Sequence, residues 1–428
     1  MKVLVTGATG LIGGHVLRAL RVAGHSVVGM SRRRPQGEAE QQWIECDFAD
    51  MRKEQAWLPL LDGVDAVVNC VGIIRETLPG DFDRLHRAAP IALFAACERA
   101  AVRRVVQVSA LGSHPDAATG YWRSKGAAEH DLLARTLSSV IIRPSLVYGD
   151  AGASSIMFRM LATLPVLAMP MAHGAKVQGI HVEELAEIVA SLVSTEGAVP
   201  RELAVVGPRA TTMADYLAAL REGMGAPGAV VLDLPMPVAR LVARVAQLMP
   251  SSALTPESLL MLERSADGSN TADARPAAAL LGRPLRDPLS FARPDLLPAA
   301  VMDWGRPLLT IVMAMLWLLT AAVSWFGWPH AESFAWLAAC GIPPAWQEPV
   351  LLGASVADCV MGLALLLRPR RWLWLMQLTL VLGYTVAMTF CLPEFWLHPF
   401  GPLSKNLPVL ALMALMWRVT PKPIQSIH

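Results

Sequence analysis

The 428-residue chain is 54% hydrophobic and only 17% charged, a balance too apolar for an ordinary soluble enzyme, so part of it is expected to sit in lipid. Its formal net charge of +2, with no dense basic run outside short loops, gives no reason to invoke nucleic acid, whose binding needs a clustered cationic surface. The six cysteines form no Cys-x-x-Cys pair and no His-rich spacing that would assemble a tetrahedral site, so they read as buried small hydrophobes and no metal is expected.

Met1 to Thr6 runs straight into a glycine turn where a cleavable apolar segment would have to continue. No signal peptide is expected, and the N-terminal domain is read as unsecreted with reduced thiols. Up to about residue 200, apolar runs at 2–5, 26–30, 66–70, 105–109 and 139–142 alternate with helical patterns such as 12–23 and 90–101. Continuous apolar strands alternating with helices predict an α/β fold: a doubly wound, parallel-sheet Rossmann domain with ligands at the carboxyl edge of the sheet.

The turn after the first run reads Thr6-Gly7-Ala8-Thr9-Gly10-Leu11-Ile12-Gly13. Its glycines permit a tight turn and let the backbone approach a pyrophosphate, whose charge is stabilised by the N-terminus of the helix that opens there. About 20 residues downstream, where an NAD-preferring domain usually offers a carboxylate to the ribose, the chain holds Ser31 and Arg32. An arginine there matches a 2′-phosphate through charge-assisted bonds and predicts a preference for NADP(H) over NAD(H). A solvated basic loop that decides nothing is the alternative.

Gly7-x-x-Gly10-x-x-Gly13, Asp47-Phe48, Asn69-Cys70-Val71-Gly72, Val108-Ser109-Ala110-Leu111-Gly112, Tyr121-x-x-x-Lys125 and Arg143-Pro144-Ser145-Leu146-Val147-Tyr148-Gly149 stand in order along the chain. Together they resemble the extended and atypical short-chain dehydrogenase/reductases, in particular the group that includes the nucleotide-binding accessory subunit of respiratory complex I. The resemblance covers roughly residues 1 to 265, including the tract from Leu254-Thr255-Pro256-Glu257-Ser258 to Leu262-Glu263. It implies that Asp47 and Phe48 flank the adenine, that Val71 and Gly72 line the floor of the cofactor site, and that Pro144 belongs to the same site. It also implies that Lys125 holds the nicotinamide ribose and lowers the pKa of Tyr121, whose phenol serves as proton donor or acceptor, while Ser109 polarises the substrate. The family's fuller serine motif is reduced here to Ser-Ala.

Residues 200–300 are rich in Pro, Ala and Arg, with helical pieces at 212–224, 237–249 and 256–264, and read as a small cap followed by a linker. Val238, Leu241, Val242, Val245 and Leu248 fall on one face of an amphipathic helix, which is expected to pack against the cap, the alternative being that it lies on a bilayer surface. Three apolar spans, 307–331, 350–367 and 372–392, reach about the length that crosses a bilayer, and a fourth near 403–417 contains Lys405. The arrangement resembles the DoxX-like four-helix family. Domain limits are placed at 1–235, 236–300 and 301–428, the last an all-α transmembrane four-helix bundle.

Arg368, Arg370 and Arg371 crowd one connection and Arg418 and Lys422 follow the fourth span, whereas the first connection holds only Glu332 and Glu348. The positive-inside rule then puts the Rossmann domain and both termini on the cytoplasmic side of a multi-pass inner-membrane protein. Asp358, inside the second span, is expected either to bond between helices or to serve a function. The expected activity is NADPH-dependent hydride transfer to or from a hydrophobic or membrane-associated small molecule. The alternatives are a non-catalytic NADP-binding accessory or assembly protein of a membrane complex, and a nucleotide-sugar epimerase or dehydratase.

Overall fold

The computed structural model describes residues 1–39, 42–172, 174–247 and 254–421, and the chain divides into two compact units, Met1–Val301 and Met302–His428. Leu248, Met249 and Lys422 lie outside the described residues.

The strands of the first unit are β1 (Lys2–Thr6), β2 (Ser26–Ser31), β3 (Trp43–Glu45), β4 (Ala66–Asn69), β5 (Arg104–Val108), β6 (Ser139–Pro144), β7 (Val147–Tyr148), β8 (Val166–Pro170), β9 (Ile180–His181), β10 (Glu202–Val205) and β11 (Val230–Leu234). Seven of them form one parallel sheet in the order β10-β6-β5-β4-β1-β2-β3. Each central strand is apolar on both faces: Val3 and Val5 join one core cluster and Leu4 the other, just as Val140 and Ile142 part from Ile141. Two buried faces are why these strands read as unbroken apolar runs. Strand order reverses between β1 and β4, which opens the crevice where such sheets bind ligands. The short strands β3 and β10 are not visible as apolar runs.

Helices α1 (Leu11–Val22), α2 (Glu54–Trp57), α3 (Ala89–Arg99), α4 (Gly120–Ala134), α5 (Ala153–Ala162), α6 (Val182–Ser194), α7 (Met213–Met224), α8 (Met236–Ala246), α9 (Pro256–Arg264) and α10 (Arg275–Leu281) complete this unit. β8 and β11 pair in parallel as a separate two-stranded sheet. The amphipathic segment forms α8, but its apolar face is not packed on the cap. The small side chains of Ala239 and Ala243 are buried, against a cluster that holds Leu259 of α9, and the large ones point out.

The second unit holds most of α11 (Leu297–Ala322), then α12 (His330–Ala339), α13 (Pro344–Leu367), α14 (Arg371–Cys391) and α15 (Asn406–Val419). Three helical segments, Pro294–Gly327, Pro344–Leu367 and Arg371–Cys391, are long and apolar enough to cross a bilayer, and the chain is a membrane protein. The fourth expected span corrects to a helix of 14 residues, because Lys405 stands at the N-cap of α15 and the helix begins after the charge. At 1.5 Å per residue it reaches about 21 Å, short of the ~30 Å hydrocarbon core. Trp317 Nε1 donates to Gln377 Oε1 at 2.7 Å inside this unit, joining α11 to α14. Gly362 lets α13 meet α11, since a Cβ there would stand 2.9 Å from the carbonyl oxygen of Ala314. Asp358 is buried, and its Oδ1 has no hydrogen-bond partner among the described residues. All six cysteines are free, and only Cys97 is fully buried.

Candidate active site

The turn between β1 and α1 is built by glycine for two reasons. Gly7 has φ +68°, and a Cβ on it would stand 3.1 Å from the backbone nitrogen of Val71, which follows β4 across the crevice. A Cβ on Gly13 would sit 2.2 Å from the carbonyl oxygen of Gly7, so the first turn of α1 lies directly on the loop. Gly10 is the N-cap of α1 and brings no side chain to its end. The first N–H groups of the helix, from Leu11 to Gly13, therefore carry the positive end of the dipole without a capping side chain, beside the exposed Thr9 and Gly10. An uncapped helix start under a cradle that a Cβ would fill fits a dinucleotide pyrophosphate.

Ser31 closes β2 buried, its Oγ donating to the carbonyl of Arg33 at 2.7 Å, and holds the bend that sends Arg32 and Arg33 into solvent. Asp47 is exposed and accepts from the Ala49 N–H through Oδ1 at 3.0 Å. Phe48 does not present its ring outward: it is buried edge-on against Trp57. Pro144 ends β6 and accepts the Leu111 N–H at 2.9 Å, which ties the loop after β5 to the sheet edge.

A buried ladder of polar side chains crosses the carboxyl ends of β1, β4 and β5. Thr6 Oγ1 donates to Asn69 Oδ1 at 2.6 Å, Asn69 Nδ2 to Gln107 Oε1 at 2.7 Å, and Gln107 Nε2 to the carbonyl of Val108 at 3.1 Å. Asn69 Oδ1 also takes the N–H of Val71 at 3.2 Å. Lys125 Nζ completes the row at the same Val108 carbonyl, at 3.3 Å. Ser109, the next residue, is buried with its Oγ 3.4 Å from Ser113 Oγ. Gly72 lies against the ammonium, for a Cβ there would be 3.3 Å from Lys125 Nζ. Burial pushes Lys125 down to about 8, with Glu129 opposing.

Tyr121 and Lys125 share one face of α4, one turn apart, with Nζ 5.7 Å from the ring centroid. The expected lowering of the Tyr121 phenol is not what the structure shows. Burial first, and the carboxylate of Glu257 second, raise it above its ordinary value. Desolvation of a phenolate outweighs one cation at this range, so the phenol is held in its protonated form.

Sequence reasoning passed over two residues of this cluster. His86, in the π-helical turn Asp83–Ala88 that leads into α3, is buried with its ring stacked on Phe82 at 5.3 Å and edge-on to Tyr121 at 5.6 Å. Its Nε2 accepts the N–H of Ile73 at 3.0 Å, so the proton sits on Nδ1, which faces Ser124 Oγ at 3.0 Å; that hydroxyl donates to the Tyr121 carbonyl at 3.0 Å. Burial and the nearby Lys125 push His86 down to about 2, in keeping with a neutral ring. Glu257, at the start of α9, accepts the backbone N–H of Tyr121 at 3.0 Å and so stands at the positive end of α4. The helix phase of a π-turn and a contact across 136 residues leave no local signal, although the tract holding Glu257 is part of the family resemblance.

Two family models match the chain: one described as the NAD dependent epimerase/dehydratase family over residues 3–205, and one described as the DoxX-like family over residues 314–414. Ceramide reductase of Caulobacter vibrioides is 30% identical over 189 residues, covering 43% of this chain and 58% of that protein. Protein FMP52, mitochondrial, of Eremothecium gossypii is 31% identical over 156 residues, 35% of this chain and 68% of that one. The mouse mitochondrial NADH dehydrogenase [ubiquinone] 1 alpha subcomplex subunit 9 is 25% identical over 221 residues, 48% and 56% of the two chains. The chain spans about half the length of the first curated relatives it matches, between 52% and 58%. Among solved structures, a nucleoside-diphosphate-sugar epimerase from Staphylococcus aureus superposes with a TM-score of 0.54 at 15% identity, over 68% of this chain and 99% of that one, a likeness of fold.

Proposed function

Because the chain belongs to the NAD-dependent epimerase/dehydratase family through its nucleotide-binding domain and carries a DoxX-like membrane domain, we propose that it is a membrane-anchored, NADPH-dependent oxidoreductase that reduces a carbonyl on a hydrophobic, membrane-dissolved substrate. The observation that carries the proposal is the meeting of Lys125, Tyr121 and the loop after β5 at one sheet edge: the ammonium bonds the carbonyl beside Ser109 and stands one helical turn from the phenol. Bound NADPH supplies the hydride. Tyr121, held protonated by burial and by Glu257, donates a proton to the developing alkoxide, and Ser109 orients the same oxygen. Lys125 holds the nicotinamide ribose, and Arg32 the 2′-phosphate. The cofactor site comprises Gly7, Thr9, Gly10, Leu11, Ile12, Gly13, Ser31, Arg32, Asp47, Phe48 through its backbone, Val71, Gly72, Lys125 and Pro144. A lipid-derived carbonyl suits both the membrane domain and the name of the Caulobacter relative. Because basic loops stay on the cytoplasmic side, this reading puts the nucleotide-binding domain and the Arg368–Arg371 loop together at the cytoplasmic face of the inner membrane.

The accessory-protein alternative is favoured by the similarity to the mouse NADH dehydrogenase subunit. NADPH oxidation in membranes containing wild type, Tyr121→Phe or Gly10→Val, with lipid-derived carbonyls and quinones supplied, separates the two. An enzyme loses roughly 10²-fold or more in turnover in Tyr121→Phe with nucleotide affinity nearly intact. If Tyr121→Phe is silent, no NADPH is consumed above background, and only Gly10→Val reproduces the loss-of-function phenotype, the nucleotide is structural and the oxidoreductase proposal is abandoned.

A further inference from the structure

We propose that the outward apolar face of α8 is a lipid-docking surface, seated in the headgroup region of the bilayer that the chain's own C-terminal helices span. The proposal rests on the membrane assignment and not on the oxidoreductase reading. Val238, Leu241, Val242 and Val245 are 44%, 60%, 44% and 57% exposed, although each is a large apolar side chain on an 11-residue helix. At 3.6 residues per turn they fall within about 100° of arc, a continuous stripe. The opposite choice was open to the fold. The helix buries Ala239 and Ala243, at 3% and 0% exposure, and turns its bulk away from the protein, the reverse of a helix that packs on a core.

The occupant follows from chemistry and from tethering. Arg244, exposed, lies about 60° beyond Leu241 on the flank of the stripe, exposed Arg240 lies farther round on the polar side, and α8 contains no Asp or Glu. Arg240 reaches Glu263 at 2.7 Å while its side chain remains 56% exposed, and no partner carboxylate engages Arg244 among the described residues. An apolar stripe with an arginine beyond its edge and a second on the polar side is the pattern of a helix lying in the interface, the alkyl stem of Arg244 reaching along its flank and the guanidinium groups facing anionic headgroups. Membrane-crossing helices on the same chain keep a bilayer within reach at high effective concentration, an advantage that a soluble partner lacks. The preceding strand adds Val230, Val231 and Leu232, each at least half exposed.

Docking there has a path to the site. α8 packs on α9 through Ala239, Ala243 and Leu259, and α9 carries the Glu257 carboxylate that accepts the Tyr121 N–H. A lipid surface that fixes α8 therefore steadies the segment that touches the start of α4.

The test uses the full chain with its six native cysteines replaced and single cysteines at 238, 241, 245 or 240, labelled with an environment-sensitive fluorophore and reconstituted in vesicles of zwitterionic and anionic phospholipid. Labels at 241 and 245 are expected to emit to the blue and to be quenched by lipids bearing a nitroxide on the upper acyl chain, with the label at 240 quenched least. The label at 238, read in a Leu241→Glu/Val245→Glu double variant, should lose quenching while NADPH affinity, measured on the same sample, stays at the wild-type value and shows the domain folded. Solvent-like emission at 241 and 245 without lipid quenching overturns the proposal. Protection that persists in detergent without lipid, or that scales with protein density in the vesicle, overturns it in favour of a protein contact or a second copy. None of these readouts depends on turnover, so failure of the oxidoreductase reading leaves the outcome distinguishable.

Discussion

His86 and Ser124 are joined side chain to side chain at 3.0 Å, and through them the loop after β4 is fixed to the helix that bears Tyr121 and Lys125. The imidazole accepts from one element and faces a hydroxyl on the other, so a single neutral tautomer satisfies both ends.

His86→Ala leaves the Ile73 N–H unpartnered and removes the bond that Ser124 Oγ accepts, beside a cavity, at a cost of about 2–4 kcal/mol. Acid should have a related effect on the wild type. The folded ring is held down at about 2 while the unfolded one titrates near 6.5, so below pH 6.5 the unfolded chain binds a proton that the folded chain refuses. Stability should fall as the pH drops through this window, by at most ~1.4 kcal/mol per pH unit from this group, and His86→Ala should remove that part of the slope. Thermal unfolding of the detergent-solubilised protein between pH 4 and 7 measures it. An unchanged slope in His86→Ala would show that the ring is not the group responsible.

Lys125 gives stability a slope of the same sign at alkaline pH. Its ammonium titrates near 8 in the nucleotide-free fold and at 10.5 when exposed, so between these values the unfolded chain holds the extra proton and stability rises with pH. On the proposed mechanism activity should move the other way, falling above pH 8 as the cation assigned to Tyr121 and the ribose is lost. Lys125→Met should abolish the stability gain and the turnover together, and Lys125→Arg should carry the alkaline limb of turnover upward. Parallel pH profiles of unfolding and of NADPH oxidation decide the matter. If both decline together above pH 8, Lys125 does not titrate there.

The proposed preference for NADPH rests on Arg32, which the bend held by Ser31 leaves in solvent without a hydrogen bond or ion pair among the described residues. NADPH should bind at least about tenfold tighter than NADH, equivalent to ~1.4 kcal/mol, and Arg32→Ala should erase most of the difference. Fluorescence titration with each nucleotide is the check. Equal affinities in the wild type would leave the arginine a solvated loop residue.

Much of the fold was legible because the physics that builds it is local. Runs of apolar residues buried on both faces mark β1, β2, β4, β5 and β6, and the glycines mark the loop that must approach a ligand. β3 and β10 were not, since three or four residues at the rim of a sheet carry no pattern of their own. The polar ladder from Thr6 to Lys125 depends on register between parallel strands, which a single sequence does not encode visibly. Tyr121 was found by its spacing from Lys125, but the sign of its pKa shift depends on burial and on Glu257, and neither is a property of the motif. α8 shows the same division: its stripe was plain in the text, whereas the direction it faces was set by the small residues on the other side.

Two adjacent glycines of α1 offer a matched pair in which the site and the helix make different demands. A Cβ on Gly13 would lie 2.2 Å from the carbonyl oxygen of Gly7 and 2.8 Å from its carbonyl carbon, distances that no side-chain motion can relieve because the obstacle is backbone. Gly13→Ala must therefore lift the first turn of α1 from the loop, misplacing the N–H groups that would face the pyrophosphate. A Cβ on Gly14 meets nothing closer than 3.5 Å, an ordinary contact. Gly14→Ala should gain the helix preference of alanine, about 0.5–1 kcal/mol, with nucleotide binding unchanged. Gly13→Ala has the same intrinsic gain available and should still lose at least about 2 kcal/mol of stability and at least tenfold in NADPH affinity. Unfolding midpoints and nucleotide titrations on the two variants separate backbone crowding from helix propensity. Equal behaviour of the pair would mean that α1 does not rest on the glycine loop as the structure has it.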